Sequence, residues 1–200
     1  MNRTLVVMVK EPRPGRVKSR LGRDLGMTAA AWWFRHQSRA LLRRVQDPRW
    51  QVVLAVAPDH AGMTSRVWPS HLTRWPQGRG NLGDRMGRML GTAPPGPVCI
   101  VGADIPGITA THIASAFGAL GANDAVFGPA PDGGYWLIGL KRVRPIPPRL
   151  FANVRWSTEH ALMDTIATLP NHRIAQIATL NDVDTIDDLP MTNRGRRATC

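Results

Sequence analysis

Short apolar runs alternate with longer amphipathic stretches along this chain. Residues 4–9 (TLVVMV), 51–57 (QVVLAVA), 98–101 (VCIV), 124–128 (DAVFG) and 135–140 (YWLIGL) are rich in aliphatic, mostly branched, or aromatic side chains. Runs of that length bounded by turn-forming residues predict buried strands. Residues 28–45 place Ala, Trp, Phe and Leu at helical spacing with Arg on the other side, which predicts an amphipathic helix. Thr109 is placed to cap a helix running to Leu120, and Asp84 to Leu90 predicts a short helix. A further helix is expected from Ser157 to Leu169, with Glu159 in its first turn, followed by a short strand over residues 173–177. Residues 58–83, rich in Pro, Gly, Trp and Arg, predict an irregular connection.

This alternation predicts an α/β fold with a mostly parallel sheet and helices on both faces. Residues 1–190 read as one domain, and residues 191–200 as a basic, disordered tail. In such sheets ligands bind at the carboxyl ends of the strands. The charged loops lie at those ends: a basic loop after the first strand, Asp104 after the third and Asp132 after the fourth.

Charge sharpens the picture. The chain carries 26 Lys and Arg against 14 Asp and Glu, a formal charge of +12, and residues 1–44 hold eleven bases and two acids. Such a field favours anionic partners such as phosphates and nucleotides. Cys99 sits in an apolar run and Cys200 is the last residue, so no disulfide framework is expected and a cytoplasmic setting fits. No apolar stretch reaches 18 residues and the N-terminus lacks a long apolar segment, so neither a membrane span nor a signal peptide is expected.

The segment KEPRPGRVKSRLG (residues 10–22) follows the first strand directly. Backbone N–H groups around Gly15, the start of the next helix, and the Lys18 and Arg20 side chains could together cradle a diphosphate or triphosphate. It is not a Walker A loop, because Lys18-Ser19 follows Val17 where that motif needs Gly. Gly78, Gly80 and Gly83 match G-x-G-x-x-G with Asp104 21 residues beyond, but no apolar strand precedes them, so a loop closing over a ligand is the better reading. Asp104 reads either as a loop cap or as a ligand for Mg²⁺ or Mn²⁺, with Asp182 or Asp184 as a second carboxylate. The six histidines are scattered, and zinc or serine-hydrolase signatures are missing. Trp136 and Trp156 flank the candidate site loops and are candidates to stack on a base.

Six blocks in order, KEPRPGRVKSRL, QGRGNLGDRM, VGADIPGIT, GPAPDGGYWLIGL, RWSTEHAL and DVDTIDDL, make the chain resemble a bacterial family of uncharacterised, glycosyltransferase-like proteins. That family lies in the nucleotide-diphospho-sugar transferase superfamily and is related to 2-phospholactate guanylyltransferase. The resemblance implies a Rossmann-like GT-A fold that binds an NTP or nucleotide sugar with a divalent metal. It implies phosphate binding by the first loop, here Lys10, Gly15, Lys18 and Arg20; Pro14 in that loop and Gly78, Gly80 and Gly83 of the glycine-rich loop are further candidate nucleotide-binding positions. It implies metal binding by Asp104 and Asp184. Three positions depart from the family pattern: Ser19 replaces Thr, Asn81 replaces the Asp of Gly-Asp-Leu-Gly, and Ile186 replaces Pro.

Two chemistries fit this reading. In nucleotidyl transfer an acceptor phosphate or carboxylate attacks the α-phosphorus of an NTP. In glycosyl transfer an acceptor attacks the anomeric carbon of a nucleotide sugar, and Asp132 is the candidate base. In both, Lys18 and Arg20 stabilise charge on the phosphate oxygens. The alternatives are a nucleic-acid-binding domain using the basic N-terminal third, which would show steep salt dependence, and a fold relative inactivated at Asn81. The partners expected are a nucleotide or nucleotide sugar and a small-molecule acceptor.

Overall fold

The computed structural model describes residues 2–189; the expected tail at 191–200 lies outside them. Seven strands form one sheet: β1 (Thr4–Lys10), β2 (Gln51–Ala57), β3 (Thr73–Pro76), β4 (Val98–Gly102), β5 (Ala125–Pro129), β6 (Tyr135–Leu140) and β7 (Ile174–Gln176). Their order is β3-β2-β1-β4-β6-β5-β7. β1 pairs in parallel with β2 and β4, β2 with β3, and β5 with β7. β6 runs antiparallel to both β4 and β5. The helices are α1 (Ser19–Leu25), α2 (Met27–Arg44), α3 (Asp59–Thr64), α4 (Leu82–Thr92), α5 (Ala110–Ala122) and α6 (Ala161–Ala167). Among the described residues, no helix is long and apolar enough to cross a membrane.

β1 is central because both of its faces are apolar. Leu5, Val7 and Val9 join Phe34 and Leu41 of α2 and Phe117 of α5 in one core layer. Val6 joins Met86, Met89 and Leu90 of α4, with Ile100 and Phe127, in the other. Alternation along one strand thus feeds two cores, and each large apolar side chain fully buried there contributes roughly 1.5–3 kcal/mol. The Cys99 thiol is buried in this interior, which pushes its pKa up and keeps it un-ionised.

Two segments differ from the sequence expectation. Residues 58–83 contain α3 and the edge strand β3. The connection is held by Arg74, whose guanidinium donates to the carbonyls of Met63, Ser65 and Trp68 at 3.0, 2.8 and 3.0 Å. Pro76 is tolerated there because an edge strand can spare an N–H. The expected helix from Ser157 begins only at Ala161. Ser157 has a left-handed backbone (φ 61°), so residues 157–160 form a turn that leaves Glu159 ahead of the helix.

Candidate active site

The loops after β1 and β4, the β5–β6 turn and residues 182–184 open onto one cavity of about 930 Å³. The β1 loop ends at Lys18, held in the left-handed region (φ 46°, ψ 49°) just before α1. This turns the Lys18 side chain inward, and only 6% of it remains exposed. Its Nζ lies 2.7 Å from Asp104 Oδ2, 2.8 Å from Asp184 Oδ1 and 3.7 Å from Asp182 Oδ2. Arg20, mostly exposed, reaches Asp184 Oδ2 at 3.1 Å.

Burial works against the Lys18 ammonium, but the Asp104 and Asp184 carboxylates outweigh it and hold its pKa above the ordinary value. Burial pushes the Asp182 carboxyl up; Lys18 opposes this, while Asp184, Asp104 and Asp132 add repulsion. The 182–188 segment is fixed locally. Asp188 accepts from the N–H groups of Thr185 and Asp184 at 2.7 and 3.0 Å and from the Thr185 hydroxyl at 2.8 Å. Those bonds supply restraint at a turn where Ile186 stands in place of proline.

Asp132 lies in the turn joining β5 to β6. Its Oδ1 accepts from Gly134 N–H at 2.9 Å. Gly133 takes φ 81° and packs so closely on the main chain of Glu159 that no Cβ would fit. Leu162 N–H donates to Gly133 O at 3.0 Å, which ties this turn to the start of α6.

The structure brings Lys10, Lys18, Arg20, Gly80, Asp104, Asp132 and Asp184 to the cavity wall. Pro14, Gly15, Gly78 and Gly83 are not part of that wall. Gly15 makes a left-handed turn (φ 72°) in the loop. Gly78 packs on the Arg88 guanidinium, and a Cβ on Gly83 would come within 2.6 Å of Phe151 Cβ and 2.8 Å of Trp156 Cζ2. Asn81 caps α4: its Oδ1 accepts from Asp84 N–H at 3.0 Å, and Asp84 Oδ2 accepts from Asn81 N–H at 2.9 Å. An aspartate would cap equally well, so the departure at 81 keeps this local structure.

Sequence reasoning missed Gln77 and Arg85. Gln77 Nε2 donates to the carbonyls of Val9 and Ala55 at 3.1 and 2.8 Å. That pins a buried amide at the cavity edge, and no periodicity signals it. Arg85 Nε donates to Gly80 O at 3.0 Å and braces the glycine loop. Its place in the first turns of α4 was the available signal.

Among the described residues, no three His, Cys, Asp or Glu side chains are grouped as a ready metal site. Asp104 and Asp184 are bridged by Lys18 Nζ, with Asp182 3.7 Å from the same atom. Their chemistry fits a hard divalent ion, which needs only one or two carboxylates when phosphate oxygens and water complete its shell.

The seven-stranded, mostly parallel sheet has the fold of the nucleotide-diphospho-sugar transferases, a likeness carried by superposition on a solved structure. Within that class the chain belongs to the family described as "Uncharacterized protein conserved in bacteria (DUF2064)", which matches residues 40–158. The structure is similar to a protein from Desulfovibrio desulfuricans G20 provisionally described as a nucleotide-diphospho-sugar transferase. That protein is 28% identical, with a TM-score of 0.85 covering 98% of this chain and 90% of that one. It is also similar to Rv0371c from Mycobacterium tuberculosis H37Rv in complex with manganese (16% identity, TM-score 0.55, 94% of this chain and 95% of that one). A CMP:2-keto-3-deoxy-manno-octonic acid synthetase complexed with CTP is 10% identical, with a TM-score of 0.56 over 92% of this chain and 94% of that one. At such identities the last two show likeness of fold alone. No curated protein matches the chain.

Proposed function

We infer that the protein is a metal-dependent transferase that uses a nucleotide sugar or an NTP. The observation that carries this reading is the convergence of Lys18, Asp104 and Asp184 at the carboxyl ends of β1 and β4. A strand-end site with paired carboxylates beside Lys18 and Arg20 suits a nucleoside diphosphate with its counter-ion. Asp104 and Asp184 would hold Mg²⁺ or Mn²⁺, and the ion would supply charge neutralisation at the phosphates.

The chain's own residues do the rest. Lys18, released from the carboxylates, and Arg20 bind phosphate oxygens and stabilise the charge that develops on the leaving group. Lys10 and Gly80 line the nucleotide side. Asp132, braced by Gly134 N–H, faces the acceptor side and is the candidate general base. A thermal-shift screen of NTPs and nucleotide sugars, with and without Mg²⁺, tests the reading. A ligand that binds only the native state raises the melting temperature by mass action. We expect one base-specific class of nucleotide to do so in Mg²⁺; no shift with any nucleotide in either condition would refute the assignment.

A further inference from the structure

The cavity is polarised in a way that bears on what it accepts. Its Lys and Arg lining residues, Lys10, Arg16, Lys18, Arg20 and Arg85, all come from the β1 loop, α1 and α4. The wall built from residues 130–161 contributes no Lys, Arg or His. It presents two carboxylates, Asp132 and Glu159, the Ser157 hydroxyl, and the half-buried ring of Trp156, while the Thr158 hydroxyl donates to Arg155 O at 2.8 Å.

The nearby basic groups do not compensate. The Arg155 guanidinium is held by Asp164, Nε to Oδ2 at 2.9 Å and Nη2 to Oδ1 at 2.8 Å, and does not line the cavity. His160 Nε2 lies 3.7 Å from Glu159 Oε1, and the ring is charged only when protonated. Trp156 is backed by Tyr135 and Phe151, with ring centroids 6.5 and 6.0 Å away, so it forms a fixed apolar wall. The close packing of Gly133 on Glu159 and the Leu162 bond to Gly133 hold Asp132 and Glu159 in one rigid unit.

The geometry points to an uncharged polyhydroxy compound, such as a sugar or glycoside without phosphate or carboxylate, as the acceptor in this half of the cavity. This rests on the transferase reading above. A phosphate or carboxylate acceptor would meet Asp132 and Glu159 on a wall that itself supplies no Lys, Arg or His to pair with it, and like charges in a cleft are repelled. A polyol instead finds carboxylate and hydroxyl partners for its O–H groups and an indole face for its C–H surface.

The same wall selects the reaction. An ionised phosphate is already a nucleophile and needs no base, whereas an alcohol must lose its proton. The acceptor oxygen bonds to the anomeric carbon of the nucleotide sugar while its proton passes to the Asp132 carboxylate. The carbon–oxygen bond to the diphosphate breaks, and its electron pair stays on the departing phosphate oxygen, on the side of Lys18 and Arg20. Glycosyl transfer to a neutral hydroxyl is therefore the reaction that suits this division of charge between the two walls.

Saturation-transfer NMR on the full-length protein with Mg²⁺ and whichever of UDP, GDP, ADP, CDP and TDP shifts the melting temperature most tests this directly. The probes are methyl α-glucoside and glucose 6-phosphate, and nucleotide binding is followed calorimetrically in the same samples. The glucoside is expected to bind at least about tenfold more tightly than the phosphate ester. Glu159→Lys, an exposed substitution, should shrink that ratio several-fold, and Trp156→Ala should weaken the glucoside. If nucleotide binds but the phosphate ester binds as tightly as the glucoside, or if neither sugar binds, the acceptor proposal is overturned and the transferase reading stands. If none of these nucleotides binds, the transferase reading itself fails.

Discussion

Lys18 Nζ stands 2.7 Å from Asp104 Oδ2, joining the loop after β1 to the loop after β4 across the mouth of the sheet. One ammonium neutralises carboxylates that would otherwise repel one another. Lys18 therefore acts on stability beside the phosphate-binding role proposed for it, and more so than its exposed neighbour Arg20.

Lys18→Met should destabilise the free protein by about 1–2 kcal/mol. This is less than the roughly 3–5 kcal/mol for breaking a fully buried pair, because Asp104, Asp182 and Asp184 stay partly hydrated. Arg20→Ala should change stability by less than about 0.5 kcal/mol while still weakening nucleotide binding. Urea melts and nucleotide titrations of both variants check the contrast. Because the Lys18 pKa is raised in the folded state, its contribution is fully present below the ordinary value of 10.5 and is lost as pH rises through the folded value. The wild type should lose stability in that alkaline window, and Lys18→Met should lose less.

Asp182→Asn should act in the opposite direction. The folded protein holds the Asp182 proton more tightly than the unfolded chain does, so ionising this carboxyl costs stability as pH rises past the usual carboxylate range. The variant should be more stable than wild type at pH 7, and the difference should vanish below about pH 4. Melting temperatures across that range read it out.

Gly133→Ala combines two penalties: a left-handed backbone (φ 81°) and a collision with the main chain of Glu159. A loss of about 1–3 kcal/mol is expected. Gly15→Ala, also left-handed (φ 72°) but with open space around it, should cost only the smaller backbone term. Denaturation midpoints of the two variants separate the effects.

Asp132→Asn should lower turnover far more than nucleotide affinity, because the role proposed for this carboxylate is to take the acceptor's proton, and Lys18 pairs instead with Asp104, Asp184 and Asp182. Steady-state rates beside a nucleotide titration decide this. A fall in affinity with unchanged turnover would place Asp132 at the nucleotide instead.

Much of this was legible in the chain. β1, β2, β4, β5 and β6 are apolar runs too regular to be anything else, and Thr109 caps α5 as its position indicates: the Thr109 hydroxyl accepts from His112 N–H at 3.4 Å. The α3–β3 segment was not legible, because Arg74 organises it by capping carbonyls brought near only by folding. The start of α6 was misplaced because the left-handed Ser157 interrupts an otherwise helical pattern. At the site, strand-end positions marked Lys18 and Asp104, and the family resemblance marked Asp184. Their meeting at one ammonium, and the packing role of Gly83, depend on contacts between segments far apart in sequence.

The most direct test of the account is calorimetric titration of nucleotide, with and without Mg²⁺, on wild type and Asp104→Asn. The substitution keeps the shape of the side chain and removes its charge. Wild type should bind nucleotide more tightly in Mg²⁺, and the variant should lose that gain while remaining folded. A variant that keeps the full metal-dependent gain would contradict the assignment and leave Asp104 as no more than a partner for Lys18.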